Sequence, residues 1–279
     1  MPDSTLRSFT AHDGSNLAVM DWPLPSGAPS RGLVVIVHGL GEHAGRYDHV
    51  AERLNSWGFA VRSYDQHGHG ESDGKPGALP SDTFLLDNLA ELLDTSRRRM
   101  DPRLPLVLMG HSLGGLVAAR LVSLNLSKVD GLVLSSPALD AGMNAFQKLL
   151  VSVLPRLAPD LRVGNGLDAR YLSHDAGVVQ AYRDDPMVHD RISARLARFI
   201  ADAGPAVLAS APQWRVPTLL LYAGSDHLVN PEGSRAFAAA APPGVVSAHC
   251  FEGLYHEIFN EVDRETVFER LKDWLDARF

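Results

Sequence analysis

Six residues, Gly110-His111-Ser112-Leu113-Gly114-Gly115, constrain the fold more than any other stretch of the 279-residue chain. Before them, Leu104 to Met109 (LPLVLM) is an apolar run bounded by Pro105 and Gly110, the pattern of a fully buried parallel strand. After them, small and apolar residues from Leu113 to Asn125 recur at helical spacing. A strand passing directly into a helix, with Gly-x-Ser-x-Gly at the turn, holds a serine on a sharp elbow with its Oγ exposed. Gly110 and Gly114 lie two residues either side of Ser112, where a side chain would hold strand and helix apart. The motif also arises by chance in glycine-rich loops; the flanking strand and helix argue against that origin here.

The rest of the chain alternates in the same way. Leu6 to Thr10 and Asn16 to Trp22 flank a Gly14-containing turn and read as an antiparallel hairpin. Buried strands are expected at Leu33 to Val37, Ala60 to Tyr64, Val129 to Leu134, Val216 to Ala223 and Val245 to Phe251. Helices are expected at Tyr47 to Trp57, Thr83 to Met100 (capped by Ser81 or Asp82), Glu232 to Ala240 and Arg264 to Ala277. From residue 138 to 214 the alternation stops. Helical patterns at Met143 to Leu157 and Ile192 to Ala209 enclose an irregular, polar middle with no credible sheet strand. The expected architecture is α/β, a mostly parallel, doubly wound sheet formed by residues 1–137 and 215–279, with 138–214 inserted as a helical cap. The insertion enters after a sheet strand, at the carboxyl ends where ligands bind in such folds.

A serine hydroxyl becomes a nucleophile only beside a positioned base and an orienting acid. In hydrolase folds these follow in the order serine, acid, histidine, each on a loop after a strand. Asp226 follows the strand TLLLYA and His256 follows VVSAHCF. Asp226 also has the sequence setting of a turn or N-cap aspartate, and Asp140, after LVLSS, is a rival acid. Of the twelve histidines, only His256 combines the chain order with a loop after the last strand. His111 is expected to point away from Ser112, and His38 and Glu42 to brace their loop. His67 and His69 flank a turn and suit structural hydrogen bonds. A tetrahedral oxyanion needs two backbone donors. Leu113, after the serine, supplies one, and Leu40, in the Gly39-Leu40-Gly41 loop, supplies the other.

Composition removes other classes. A net charge of −7 leaves no basic stripe for nucleic acid, and Arg97-Arg98-Arg99 simply ends a helix, where cations suit the dipole. The single Cys250 excludes an internal disulfide and reads as a buried strand residue. The first residues lack a signal-peptide pattern and no apolar run is long enough to span a membrane, so a cytoplasmic setting is expected. No histidine or cysteine spacing suggests a metal, and no glycine loop has phosphate-binding spacing, so no cofactor is expected. The chain carries no mark of an oligomeric state.

With these residues in view, the chain resembles the monoacylglycerol lipase and lysophospholipase-like branch of the α/β-hydrolases. His38-Gly39-Leu40-Gly41-Glu42-His43-Ala44-Gly45-Arg46-Tyr47 is similar to that family's HGxGEHxGRY segment. Asp65 to Ser72 is similar to its D-x-x-GHGxS loop, and residues 110–115 to its GHSxGG elbow. The resemblance implies an acyl tunnel under the cap, transient contact of the cap with a membrane surface, and hydrolysis of a medium- or long-chain ester, first a monoacylglycerol. A broader carboxylesterase or a lysophospholipase is the alternative; a peptidase, or a ligand-binding protein without catalysis, is further away. A dehalogenase would carry aspartate at position 112. Phe146, Leu149, Leu150, Val153, Leu154 and Leu157 recur on one helical face. They either pack the cap onto the body or, at Leu150 and Leu154, line the acyl pocket.

Overall fold

The computed structural model of the chain describes residues 4–142 and 145–279, and within 145–150 the backbone alone. The hairpin forms as expected: β1 (Thr5–Thr10) and β2 (Asn16–Trp22) pair antiparallel at one edge of an eight-stranded sheet. β2 then meets β4 (Phe59–Tyr64) antiparallel, and from there every pairing is parallel. The order is β1-β2-β4-β3-β5-β6-β9-β10, with β3 at Gly32–Val37, β5 at Leu106–His111, β6 at Gly131–Ser135, β9 at Thr218–Ala223 and β10 at Val246–Phe251.

Period-two alternation divides the core. Val35, Val37, Leu106 and Leu108 face one layer, formed by α2 (Phe84–Arg99), α3 (Leu113–Ser123) and α7 (Glu232–Ala240). Val34, Ile36, Val107 and Met109 face the other, against α1 (Asp48–Ser56) and α8 (Arg264–Asp276). Because both faces are covered, the central strands read as unbroken apolar runs. Two smaller expectations fail. The N-cap position of α2 is Thr83, not Ser81 or Asp82, and its hydroxyl bonds Asp87 rather than a helix amide. Cys250 is only half-buried, because β10 is the edge strand.

Between β6 and β9 the chain leaves the sheet. It forms α4 (Ala145–Leu157), β7 (Arg162–Gly164), α5 (Ala176–Asp184), β8 (Arg191–Ser193) and α6 (Ala194–Ser210). This excursion is less purely helical than its sequence suggests. β7 and β8 pair antiparallel, Val163 opposite Ile192, and three-residue strands are too short to show a period. α6 therefore starts two residues late, with the Ser193 hydroxyl capping the Leu196 amide. α5 emerges from the polar middle, capped by Asp175 on the Gly177 amide. Among the described residues, no helix is long and apolar enough to cross a membrane.

The fold brings α3 unusually close to the strands at its head. A Cβ on Gly114 would strike the carbonyl oxygens of Val37 and His38, and one on Gly110 that of Gly114. Gly114→Ala should destabilise the fold by about 1–3 kcal/mol, the cost of overpacking a core position, and so lower the urea midpoint. An unchanged midpoint would mean that the approach is not constrained there.

Candidate active site

Ser112 sits where β5 becomes α3, with φ 53° and ψ −117°. Such left-handed backbone is costly for a residue with a Cβ and persists only where its surroundings enforce it. The enforcement is visible: Ser112 N–H donates to Ser135 O at 3.0 Å, and Ser112 O accepts from Leu116 and Ala138. At the first turn of α3 the Leu113 N–H has no helical acceptor and lies at the positive end of the helix dipole. No group of the described residues accepts from the Leu113 or the Leu40 amide.

Asp226 and His256 meet across two loops. His256 Nδ1 donates to Asp226 Oδ2 at 2.6 Å, and both side chains are at most 5% exposed. The other carboxylate oxygen, Oδ1, accepts from the amides of Leu228 and Val229, each at 2.9 Å. Asp226 is thus a turn aspartate and a histidine partner at once. Burial disfavours both charges, but their mutual attraction prevails: His256 is raised above the ordinary histidine value and Asp226 lowered. Asp140 is tied elsewhere, its Oδ2 to Asn230 Nδ2 at 2.7 Å and its Oδ1 to the Gly142 amide. The Ser112 hydroxyl makes no hydrogen bond among the described residues, a looseness common in unliganded sites. The ring of His111 stands 4.8 Å from that of His256, tilted against it, and its Nδ1 is within 3.1 Å of Ser135. Burial and the neighbouring His256 push its pKa down to about 4, so it is neutral at pH 7.

The 38–43 loop is braced from several sides. His38 Nδ1 donates to Gly39 O and its Nε2 accepts from the Gln66 amide, which defines one neutral tautomer. Asp65 takes the amides of Ala44 and Glu71. Glu42 takes the Gly39 amide, the Tyr47 hydroxyl and Arg46. Burial opposes its charge, yet Arg46 above all lowers its pKa to about 2. The excursion reaches this loop as well, through His189 N–H on Gly41 O (2.9 Å) and His43 Nε2 on Asp185 Oδ2 (2.8 Å).

A cavity of about 450 Å³ lies over Ser112 and is shared between the sheet's carboxyl end and the excursion. Leu40, Ser112, Leu113 and His227 border it below; Val151, Leu154, Leu161, Val163, Ile192 and Ile200 border it above. Leu154 is therefore on the cavity wall, whereas the side chain of Leu150 lies outside the described residues. The described lining contains no carboxylate, lysine or arginine. Among the described residues, no three histidine, cysteine or carboxylate groups could hold a metal ion.

Residues 28–263 match the family described as serine aminopeptidase, S33. The chain is also 34% identical over 272 residues to a monoacylglycerol lipase of Mycolicibacterium smegmatis, covering 96% of each. The chain belongs to the monoacylglycerol lipase and lysophospholipase-like branch of the α/β-hydrolases. Further relatives agree with that placement. A phospholipase of Bacillus subtilis is 32% identical over 88% of this chain and 95% of its own length. The crystal structure of a monoacylglycerol lipase from Paleococcus ferrophilus superposes with a TM-score of 0.84 at 35% identity, over 94% of this chain and 99% of the other. As a member of this branch the chain is a carboxylic ester hydrolase acting on lipid esters.

Sequence reasoning missed the ring contact of His111, the cavity-facing His227 and the ion pairs of Arg46. Only the last left a signal, the Glu42 to Arg46 spacing of four. In a proton NMR titration His256 should titrate above 6.5, and Asp226→Asn should bring it down by removing the charge that favours the imidazolium. A His256 value unmoved by Asp226→Asn would contradict the pairing.

Proposed function

We propose that Ser112, His256 and Asp226 act as nucleophile, base and orienting acid in the hydrolysis of medium- or long-chain monoacylglycerols. Ser112 Oγ attacks the acyl carbonyl while His256 Nε2 takes its proton. The Leu40 and Leu113 amides hold the oxyanion, the first on a braced loop and the second at a helix N-terminus. Collapse releases glycerol, protonated by His256, and water then frees the acyl group from Ser112. Asp226 holds the ring tautomer and stabilises the imidazolium. No cofactor enters.

A strained serine at the floor of an apolar cavity, with a buried Asp226–His256 pair two loops away, carries this reading. The cavity's lining argues for the substrate. A free amino group would want a carboxylate, which speaks against an aminopeptidase, and a lysophospholipid phosphate would want a cation; the described lining offers neither. An uncharged glycerol ester fits it better. A carboxylesterase of wider scope remains the second reading, supported by the cavity's few polar groups.

In this reading residues 138–214 are the cap of a core formed by 1–137 and 215–279. Its outer lip is apolar: Leu157 is 78% exposed, and Val153, Leu161, Val163 and Leu167 are exposed too. Leu161, Val163 and Leu167 also border the cavity, so a lipid surface meeting the lip would feed an acyl chain straight in.

Hydrolysis of p-nitrophenyl esters from C2 to C16 should peak at C8 or longer, disappear in Ser112→Ala and be competed by 1-monoacylglycerol. A peak at C2 to C4 without competition would make this a small-ester carboxylesterase. Leu154→Ser should reduce long-chain turnover more than short-chain turnover; equal losses would remove Leu154 from the acyl wall. Leu157→Asp with Leu161→Asp should weaken co-sedimentation with phosphatidylcholine vesicles, while unchanged sedimentation would remove the lipid contact.

A further inference from the structure

A buried cation joins the two loops on which the proposed chemistry depends. Arg46 lies in the short turn Ala44–Tyr47, just after the loop that carries Leu40. Its guanidinium grips Glu257 with both arms, Nη1 to Oε1 at 2.7 Å and Nη2 to Oε2 at 2.8 Å. The same Nη1 donates to Glu42 Oε2 at 2.5 Å. The ring of Tyr182, from α5, covers the guanidinium at 4.9 Å. All three charged side chains are close to fully buried, at 11%, 4% and 5% exposure for Arg46, Glu42 and Glu257.

Each glutamate is also anchored elsewhere. Glu42 Oε1 accepts from the Gly39 amide, one peptide before the Leu40 donor. Glu257 follows His256 directly, and its own amide donates to Leu172 O at 2.8 Å. A tie made only for stability has a cheaper form, because apolar groups of similar volume often do as well as a buried ion triad. What the triad adds is direction: a fork of two parallel hydrogen bonds fixes the distance and the angle between its partners.

We propose that Arg46 is a positioning residue, keeping the Leu40 amide and the His256 ring in register with Ser112 by clamping Glu42 to Glu257. This rests on the reading of Ser112, His256 and Asp226 given above. The groups acting on His256 are Asp226, Glu257 and Glu42, which favour its charge, and His111, 4.8 Å away, whose protonation would oppose it. Removing the Glu257 charge therefore eases deprotonation of the base and moves the acid limb of kcat/KM to lower pH. A brace without influence on the base would leave that limb in place.

The test is steady-state hydrolysis of p-nitrophenyl decanoate by the full chain, with Arg46→Lys, Glu257→Gln and Ser112→Ala beside wild type and a thermal melt of each. Arg46→Lys keeps the charge and loses the fork; kcat should fall about 10- to 100-fold, as for small misplacements of catalytic groups. KM should change by less than about threefold, since no contact with substrate is lost. Glu257→Gln, nearly isosteric, should also lower kcat and shift the acid limb down, and it keeps the test open where Arg46→Lys fails to fold. A folded variant of either kind with kcat within about twofold of wild type, or with its loss confined to KM, overturns the role of Arg46. Should Ser112→Ala retain the wild-type rate, the reading of the site itself falls, and the positioning role with it.

Discussion

The site hangs from the contact between the head of α3 and strands β3 and β5. Gly110 and Gly114 let the helix start against bare backbone, and the chain passes through that gap with Ser112 in left-handed space. Three consequences follow from one close approach. The hydroxyl is presented at the carboxyl end of the sheet, the Leu113 amide is left free at a helix N-terminus, and the 38–43 loop is brought within reach of both. The cost of the strained backbone, of order 1–3 kcal/mol, is met by the hydrogen bonds that lock Ser112 to Ser135 and Ala138.

Around this elbow the protein buries two charge systems rather than one. Asp226–His256 is a matched pair, each partner favouring the other's charge. Glu42–Arg46–Glu257 has two carboxylates for one guanidinium, so the wall behind His256 is net negative. Such a field favours an imidazolium: burial opposes the charge of His256, Asp226 does most to raise it above its ordinary value, and Glu257 and Glu42 add to that, a bias suited to the proposed role of proton acceptor from Ser112. The excursion between β6 and β9 takes part in this arrangement. Tyr171 and Leu172 accept from the amides of His256 and Glu257, and His189 and Asp185 hold the 38–43 loop. It thus supports both loops while its own apolar residues roof the cavity.

Much of this was legible in the amino-acid sequence for a physical reason. Strands buried on both faces are apolar without interruption, and a glycine on each side of a serine leaves few other structures. The hairpin, α7 and the central strands therefore stood out within a residue or two. What escaped were features made by tertiary contact. β7 and β8 are three residues long and pair only with each other, so no period announces them. α5 owes its start to Asp175 inside a polar run. The helix cap at Thr83 was misplaced because Ser81, Asp82 and Thr83 are all competent caps by residue type. At the site, chain order and strand context single out Ser112, Asp226 and His256. The partnership of Arg46 with Glu257, 211 residues apart, has no local trace.

The proposed chemistry requires that Ser112 form the acyl-enzyme on a lipid ester. It is tested most directly by treating the protein with a long-chain alkyl fluorophosphonate and mapping the adduct by peptide mass spectrometry. A single adduct is expected on the peptide carrying Ser112, slowed by added 1-monoacylglycerol and absent in Ser112→Ala and His256→Ala. Labelling at another serine, or labelling of Ser112 at the wild-type rate without His256, would contradict it.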